Sequence, residues 1–231
     1  MGHVARLGRL VVVTALLGAV CACGTGGPAT EGVAGAAGDA QPSGSPTGSP
    51  GAGQGATTSE ALQPLLVDAT RLPDGFREST GQAAPGYRMT LCGVDLEPRP
   101  PAETATRRFA RSGVGPFVEQ RVRRYGDDSQ AEVLVAMRQA LRSCGETSAT
   151  DPASGASTTM RVRPLQLRQF ADDSVAWHQE AVDRPVPTDV VLMRRGRTVV
   201  LVTSYTLGRV GDVGVVEQAA TAAEALLRDA E

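Results

Sequence analysis

The sequence predicts an α+β domain, a mostly antiparallel β-sheet with helices packed on it, and three observations carry that prediction. Local patterns run in the order helix, three strands, helix, four strands, helix, without the regular βαβ alternation that builds a parallel sheet. Every Phe, Tyr and Trp lies between Phe76 and Tyr205, so core-building material is confined to the C-terminal three quarters of the 231 residues. Within it Cys92 and Cys144 stand at element ends, placed to staple the fold. A single domain over 58–231, roughly 170 residues, buries about 70% of the surface its unfolded chain exposes, enough for a sizeable core.

The first 22 residues read as a signal peptide. His3, Arg6 and Arg9 precede an apolar run from Leu10 to Val20, and small residues surround two cysteines after it. At 1.5 Å per helical residue that run reaches about 16 Å, against a hydrocarbon core of about 30 Å, too short for a permanent span. The stretch Val20-Cys21-Ala22-Cys23-Gly24 resembles the bacterial lipobox, with an aliphatic residue three before the modified Cys and a small residue immediately before it. Cys23 fits both positions. For Cys21, Val20 stands where a small residue belongs and Gly18 where an aliphatic one does. The resemblance implies that Cys23 takes a diacylglyceryl thioether and holds the mature chain at the outer face of the cytoplasmic membrane, since two acyl chains anchor where one does not.

Residues 23–57 are Gly, Ala, Ser, Thr and Pro with few others, a composition that cannot offset its ordering entropy by burying apolar surface. As a flexible coil this linker reaches roughly 30 Å. Gly51-Ala52-Gly53-Gln54-Gly55 has no strand before it and the wrong spacing for a dinucleotide fingerprint, so it belongs to the linker.

Ordered structure is expected from Ser59, the N-cap of a helix through Leu66, followed by the turn Leu72-Pro73-Asp74-Gly75. Three strands follow: Tyr87–Val94, Thr104–Arg111 and Phe117–Tyr125. In the third, Val118 and Val122 alternate with Glu119, Arg121 and Arg123, and Gly113 to Pro116 supply the turn before it. Ser129 with Glu132 three residues on reads as a capping box, opening a helix with Leu134, Met137 and Leu141 on one face and ending near Cys144. Four strands return at Thr159–Gln169, with Pro164 as a bulge, Ser174–Ala181, Asp189–Arg194 and Thr198–Tyr205, the last two a hairpin around Arg195-Gly196. Asp212 caps a final helix, Gly214–Arg228, striped by Ala219, Ala223, Leu226 and Leu227.

Composition excludes several chemistries. The chain has no Lys, Asn or Ile, the mark of a GC-rich bacterial genome, so Schiff-base catalysis and lysine-dependent phosphate loops are out. A formal net charge of −2 offers no global field for nucleic acid, and no cofactor motif is present. Cys92 and Cys144 are the only thiols in the domain, and export to an oxidising compartment predicts a disulfide between them, worth about 4 kcal/mol on the chain-entropy model. They lack Cys-x-x-Cys spacing and a His-rich neighbourhood, so no metal site is expected.

His178 is the mature chain's one imidazole. On its strand it shares a face with Ala176 and Glu180, opposite Val175, Trp177 and Gln179, so Trp177 is expected in the core and His178 with Glu180 on a solvated face. Asp172 and Asp173 point to opposite faces and read as a turn entering a strand. Arg121, Arg123, Arg161 and Arg163 alternate with period two on strands that, as neighbours, would present one guanidinium row for phosphate or carboxylate groups; the plainer reading is a solvated face balanced by acids. No residue is assigned as catalytic.

From about Leu65 onward the domain resembles, loosely, the extracellular sensor domain of PknH-type bacterial kinases. The residues carrying this are Leu65-Leu66 with Leu72-Pro73-Asp74-Gly75-Phe76, Cys92 after a strand, Ala131 to Cys144 ending in a helix-terminal Cys, Asp172-Asp173-Ser174-Val175-Ala176, and the hairpin Val190 to Val202. That family usually has a Trp three residues before the helix-terminal Cys, where Leu141 stands here, and often a second disulfide. The resemblance implies a non-catalytic domain that binds an envelope ligand or protein partner. The alternative is a lipid or glycolipid carrier, which requires a deep apolar cavity between sheet and helices.

Overall fold

A computed structural model describes residues 59–80, 90–150, 157–183, 186–208 and 211–230. The expected signal peptide, Cys23 and the 23–57 linker lie outside these residues.

Glu60–Leu65 is a 3-10 turn rather than an α-helix, because Pro64 inside it has no N–H to donate to an α-helical ladder. A second 3-10 turn, Ala69–Arg71, is capped by the Asp68 carboxylate, which accepts from the Thr70 N–H. The strands are β1 (Arg77–Glu78), β2 (Thr90–Leu91), β3 (Val94–Asp95), β4 (Glu103–Ala110), β5 (Phe117–Arg124), β6 (Glu146–Thr150), β7 (Ser157–Pro164), β8 (Asp173–Ala181), β9 (Thr188–Arg195) and β10 (Thr198–Tyr205). The helices are α1 (Gln130–Ala140) and α2 (Val213–Asp229).

Eight of the strands form one antiparallel sheet in the order β1-β4-β5-β10-β9-β8-β7-β6. It joins a five-strand meander, β6 to β10, to the β4–β5 hairpin through the β5–β10 seam. β9 and β10 are buried on both faces, which explains their nearly unbroken apolar runs, Val190–Met193 and Val199–Val202. On one face α2 and the first 3-10 turn cover Phe109, Val122, Val191, Met193 and Val200 with Val216, Ala219, Ala220 and Ala223. On the other, α1 covers Trp177, Val190, Leu192 and Leu201 with Leu134, Met137 and Leu141. Trp177 is fully buried, as its strand position predicts, and its indole N–H donates to Gln179 at 2.9 Å.

Several expectations are corrected. The expected strand Tyr87–Val94 is, where described, a separate two-residue hairpin, β2–β3, whose turn residues Cys92 and Gly93 have φ of +53° and +78°. Both positive angles suit a turn whose twist matches the strands it joins, and glycine meets that at the second position without cost. The capping box at α1 does not form: Ser129 has helical angles and makes no side-chain cap, while the Asp127 carboxylate accepts from the Ser129 N–H at 3.1 Å. β6 occupies a stretch expected to be loop. The expected strand through Gln169 ends at Pro164, where the chain leaves the sheet. Asp212 does cap α2, accepting from Gly214 N–H at 3.0 Å. Cys92 and Cys144 are bonded, with Cα atoms 5.8 Å apart, tying the β2–β3 hairpin to the end of α1. Among the described residues no helix is long and apolar enough to cross a membrane.

Candidate functional site

β7 pairs with β8 only as far as Pro164 opposite Trp177; Leu165 N–H then makes one more bond to Ala176 O at 3.0 Å. Beyond that point residues 165–169 diverge, leaving the first residues of β8 without a strand on that side. The space between this segment, β8 and the end of α1 is a groove of about 520 Å³, within the range of small-molecule sites. Its lining draws on both cores. Leu141 and Val175 belong to the α1 side, and Leu167 and Ala176 pack against the α2 side.

Three arginines from two elements rim the groove: Arg138 and Arg142 from α1 and the turn after it, and Arg168 from the diverging segment. Arg138 is held by the Asp173 carboxylate at the start of β8. Arg168 reaches Glu224 of α2 at 2.7 Å and Thr221 at 3.1 Å, and its guanidinium stacks 4.2 Å from the centre of the Phe170 ring. Glu224 also accepts the Ala171 N–H at 2.8 Å, so one carboxylate latches the outer wall to α2. Burial alone would raise the Glu224 carboxyl, but the Arg168 and Ala171 hydrogen bonds and the charges of Arg168 and Arg228 outweigh it and hold the group below its ordinary range. Arg142 is exposed and has no side-chain partner among the described residues. The groove thus offers an apolar floor and a cationic rim.

A solved structure resembles part of this chain. It is the extracellular domain of PknH from Mycobacterium tuberculosis, 12% identical, with a TM-score of 0.38 over 54% of this chain and 64% of that one. The likeness is loose, and this chain spans under two thirds of that domain. No protein-family model matches the chain, and no curated protein does.

The four arginines that would form one row if their strands were neighbours are not brought together. Three strands separate β5 from β7, about 19 Å at 4.8 Å per strand. They also face opposite ways: Arg121 and Arg123 lie on the α1 side, alternating with Val122, whereas Arg161 and Arg163 lie on the α2 side, alternating with Val162. Arg121 pairs with Glu119, Arg123 with Glu97, and Arg161 with Glu146 at 3.7 Å. Arg163 is exposed opposite His178.

His178 does not pair with Glu180. Its Nδ1 lies 2.7 Å from Oδ1 of Asp189, its cross-strand neighbour on β9, with only 14% and 6% of the two side chains exposed. Ser204 follows Asp189 in the same cross-strand row, so the carboxylate stands between hydroxyl and imidazole. A base that activates a hydroxyl must touch it. Asp172 and Asp173 diverge as expected: Asp172 accepts the Gly196 N–H at 3.0 Å and Asp173 takes Arg138. Sequence reasoning passed over Arg138, Arg142 and Arg168, although the spacing of the first two puts them on one helix face.

Proposed function

We propose that this chain is a non-catalytic, lipid-anchored domain of the cell envelope that binds an envelope ligand in the groove between α1, β8 and residues 165–169. The observation that carries the reading is that groove: an apolar floor with arginines converging on its rim, formed where Pro164 ends strand pairing. Binding without turnover fits the rest of the molecule. The His178 imidazole is taken up by the Asp189 carboxylate on the neighbouring strand, and Ser204 lies beyond that carboxylate in the same cross-strand row. The carrier alternative is less well supported, because the layers between the sheet and both helices are filled by close-packed side chains such as Trp177, Met193 and Leu134.

Native mass spectrometry of the full chain, released from its own membranes in mild detergent, tests the groove. A co-purifying small molecule is expected, and it should be lost in Gln166→Trp, which fills the groove from an exposed position. A chain without bound mass, or one whose bound mass survives that substitution, refutes the reading. Anchoring is tested separately. Cys23→Ser should move the protein out of the detergent phase while Cys21→Ser leaves it there; the opposite pattern overturns the lipid assignment.

A further inference from the structure

The charge balance of the groove says more about its occupant. Arg138 is matched by Asp173, and Arg168 by Glu224, so each of those guanidinium groups already has a carboxylate. The N–H groups of Leu141 and Cys144 cap the Met137 and Ala140 carbonyls at 2.9 Å, which spends part of the negative end of α1 on the backbone itself. Arg142 remains, the one lining arginine without a carboxylate among the described residues, and it shares the groove lining with Leu141, Leu165, Leu167 and Val175. A single unmatched guanidinium over an apolar floor is complementary to one negative charge on an apolar body.

Resting on the reading of the groove as the binding site, we infer that its ligand is a monoanionic amphiphile. One carboxylate or phosphodiester sits at Arg142, with Arg138 as the neighbouring donor, and the apolar part lies on Leu165, Leu167 and Val175. A neutral glycan leaves Arg142 unused. A dianion exceeds the single unmatched charge and must compete with Asp173 or Glu224 for a second arginine.

The experiment is calorimetric titration of the full chain with four probes below their micellar concentrations. Decanoate carries a carboxylate on a chain, dihexanoyl phosphatidylglycerol a phosphodiester, dihexanoyl phosphatidylcholine the same tails without net charge, and acetate the acid without a tail. At least one of the two acidic amphiphiles should bind roughly tenfold or more tightly than both phosphatidylcholine and acetate, and which one binds separates a fatty-acid source from a phospholipid source. Arg142→Gln should remove that preference by a similar factor, while Arg161→Gln, an exposed arginine on β7 outside the groove, should not. Arg138→Gln, which also frees Asp173, should weaken acid binding further. Equal binding of acidic and neutral amphiphiles, or acid binding unaffected by Arg142→Gln, overturns the inference. If such binding still disappears in Gln166→Trp, the groove remains the site and only the ligand class is wrong; if Gln166→Trp also has no effect, both fail. Absence of binding by all four probes overturns the inference as well, and the native mass of the membrane-derived chain then decides the groove reading alone.

Discussion

Gln120 sits at the centre of β5 with no exposed surface, a position where leaving an amide's polar atoms unpaired is costly. Its Oε1 accepts the Val67 N–H at 2.7 Å and its Nε2 donates to the Leu65 carbonyl at 2.9 Å, so it ties the chain after the first 3-10 turn to the sheet. Gln120→Leu keeps the volume but leaves a buried N–H and a buried C=O unpaired. We expect a loss of about 3 kcal/mol in urea unfolding, against less than about 0.5 kcal/mol for an exposed Gln166→Leu control. Tyr125 gives a pH test. Burial pushes its phenol from 10.0 up to about 12, so folded and unfolded chains both keep the proton below pH 10. Between pH 10 and 12 the unfolded chain loses the proton first, and stability therefore falls as pH rises through that window. Unfolding midpoints measured from pH 8 to 12 should drop, and Tyr125→Phe should shallow the drop; the remainder includes Tyr205, whose phenol burial and the Glu119 charge also raise.

Elements with strong apolar periodicity were legible, and those shaped by single residues were not. The α1 and α2 stripes follow from patterns that repeat about every 3.6 residues, the β9–β10 hairpin from two apolar runs around Arg195-Gly196, and the β4–β5 turn from Gly113 to Pro116. β6 has no such pattern: Glu146–Thr150 is an edge strand of small and polar residues, specified by its pairing with β7. The start of α1 departs from the capping box because the Asp127 carboxylate takes the Ser129 N–H and Ser129, though it sits at the N-cap, has helical angles in which its hydroxyl makes no cap. This reversal is measurable. Ser129→Ala should change stability by less than about 0.5 kcal/mol, whereas Asp127→Ala and Asp212→Ala should each cost about 1 kcal/mol in chemical denaturation. Equal costs at Ser129 and Asp127 would restore the capping box.

At the scale of the whole molecule the fold class and the disulfide could be read from the sequence, while strand order could not. Period-two alternation says that Arg121 and Arg123 share a face, and Arg161 and Arg163 another, but not which side of a common sheet each takes or how many strands intervene. The groove was hidden for the same reason. Its arginines and apolar floor come from segments separated by the β6–β7 hairpin, and they meet only because Pro164 releases the chain from β8.

That strand order has a consequence in folding kinetics. Within β6 to β10, and between β4 and β5, each pairing joins strands that are neighbours in sequence, but the seam that unites the two groups sets Val122 against Val200 and Phe117 against Tyr205, partners far apart along the chain. Closing such loops is slow relative to hairpin formation. Val191→Ala in the β9–β10 hairpin should therefore slow refolding, whereas Val122→Ala at the seam should act mainly by speeding unfolding, with stopped-flow chevrons as the measure. A Val122→Ala effect confined to the folding limb would place the seam in the nucleus instead. With a late seam, the inner edges of β5 and β10 are the last to find their partners, and until then those rows of unpaired N–H and C=O groups are the segments through which one half-built chain can pair with another.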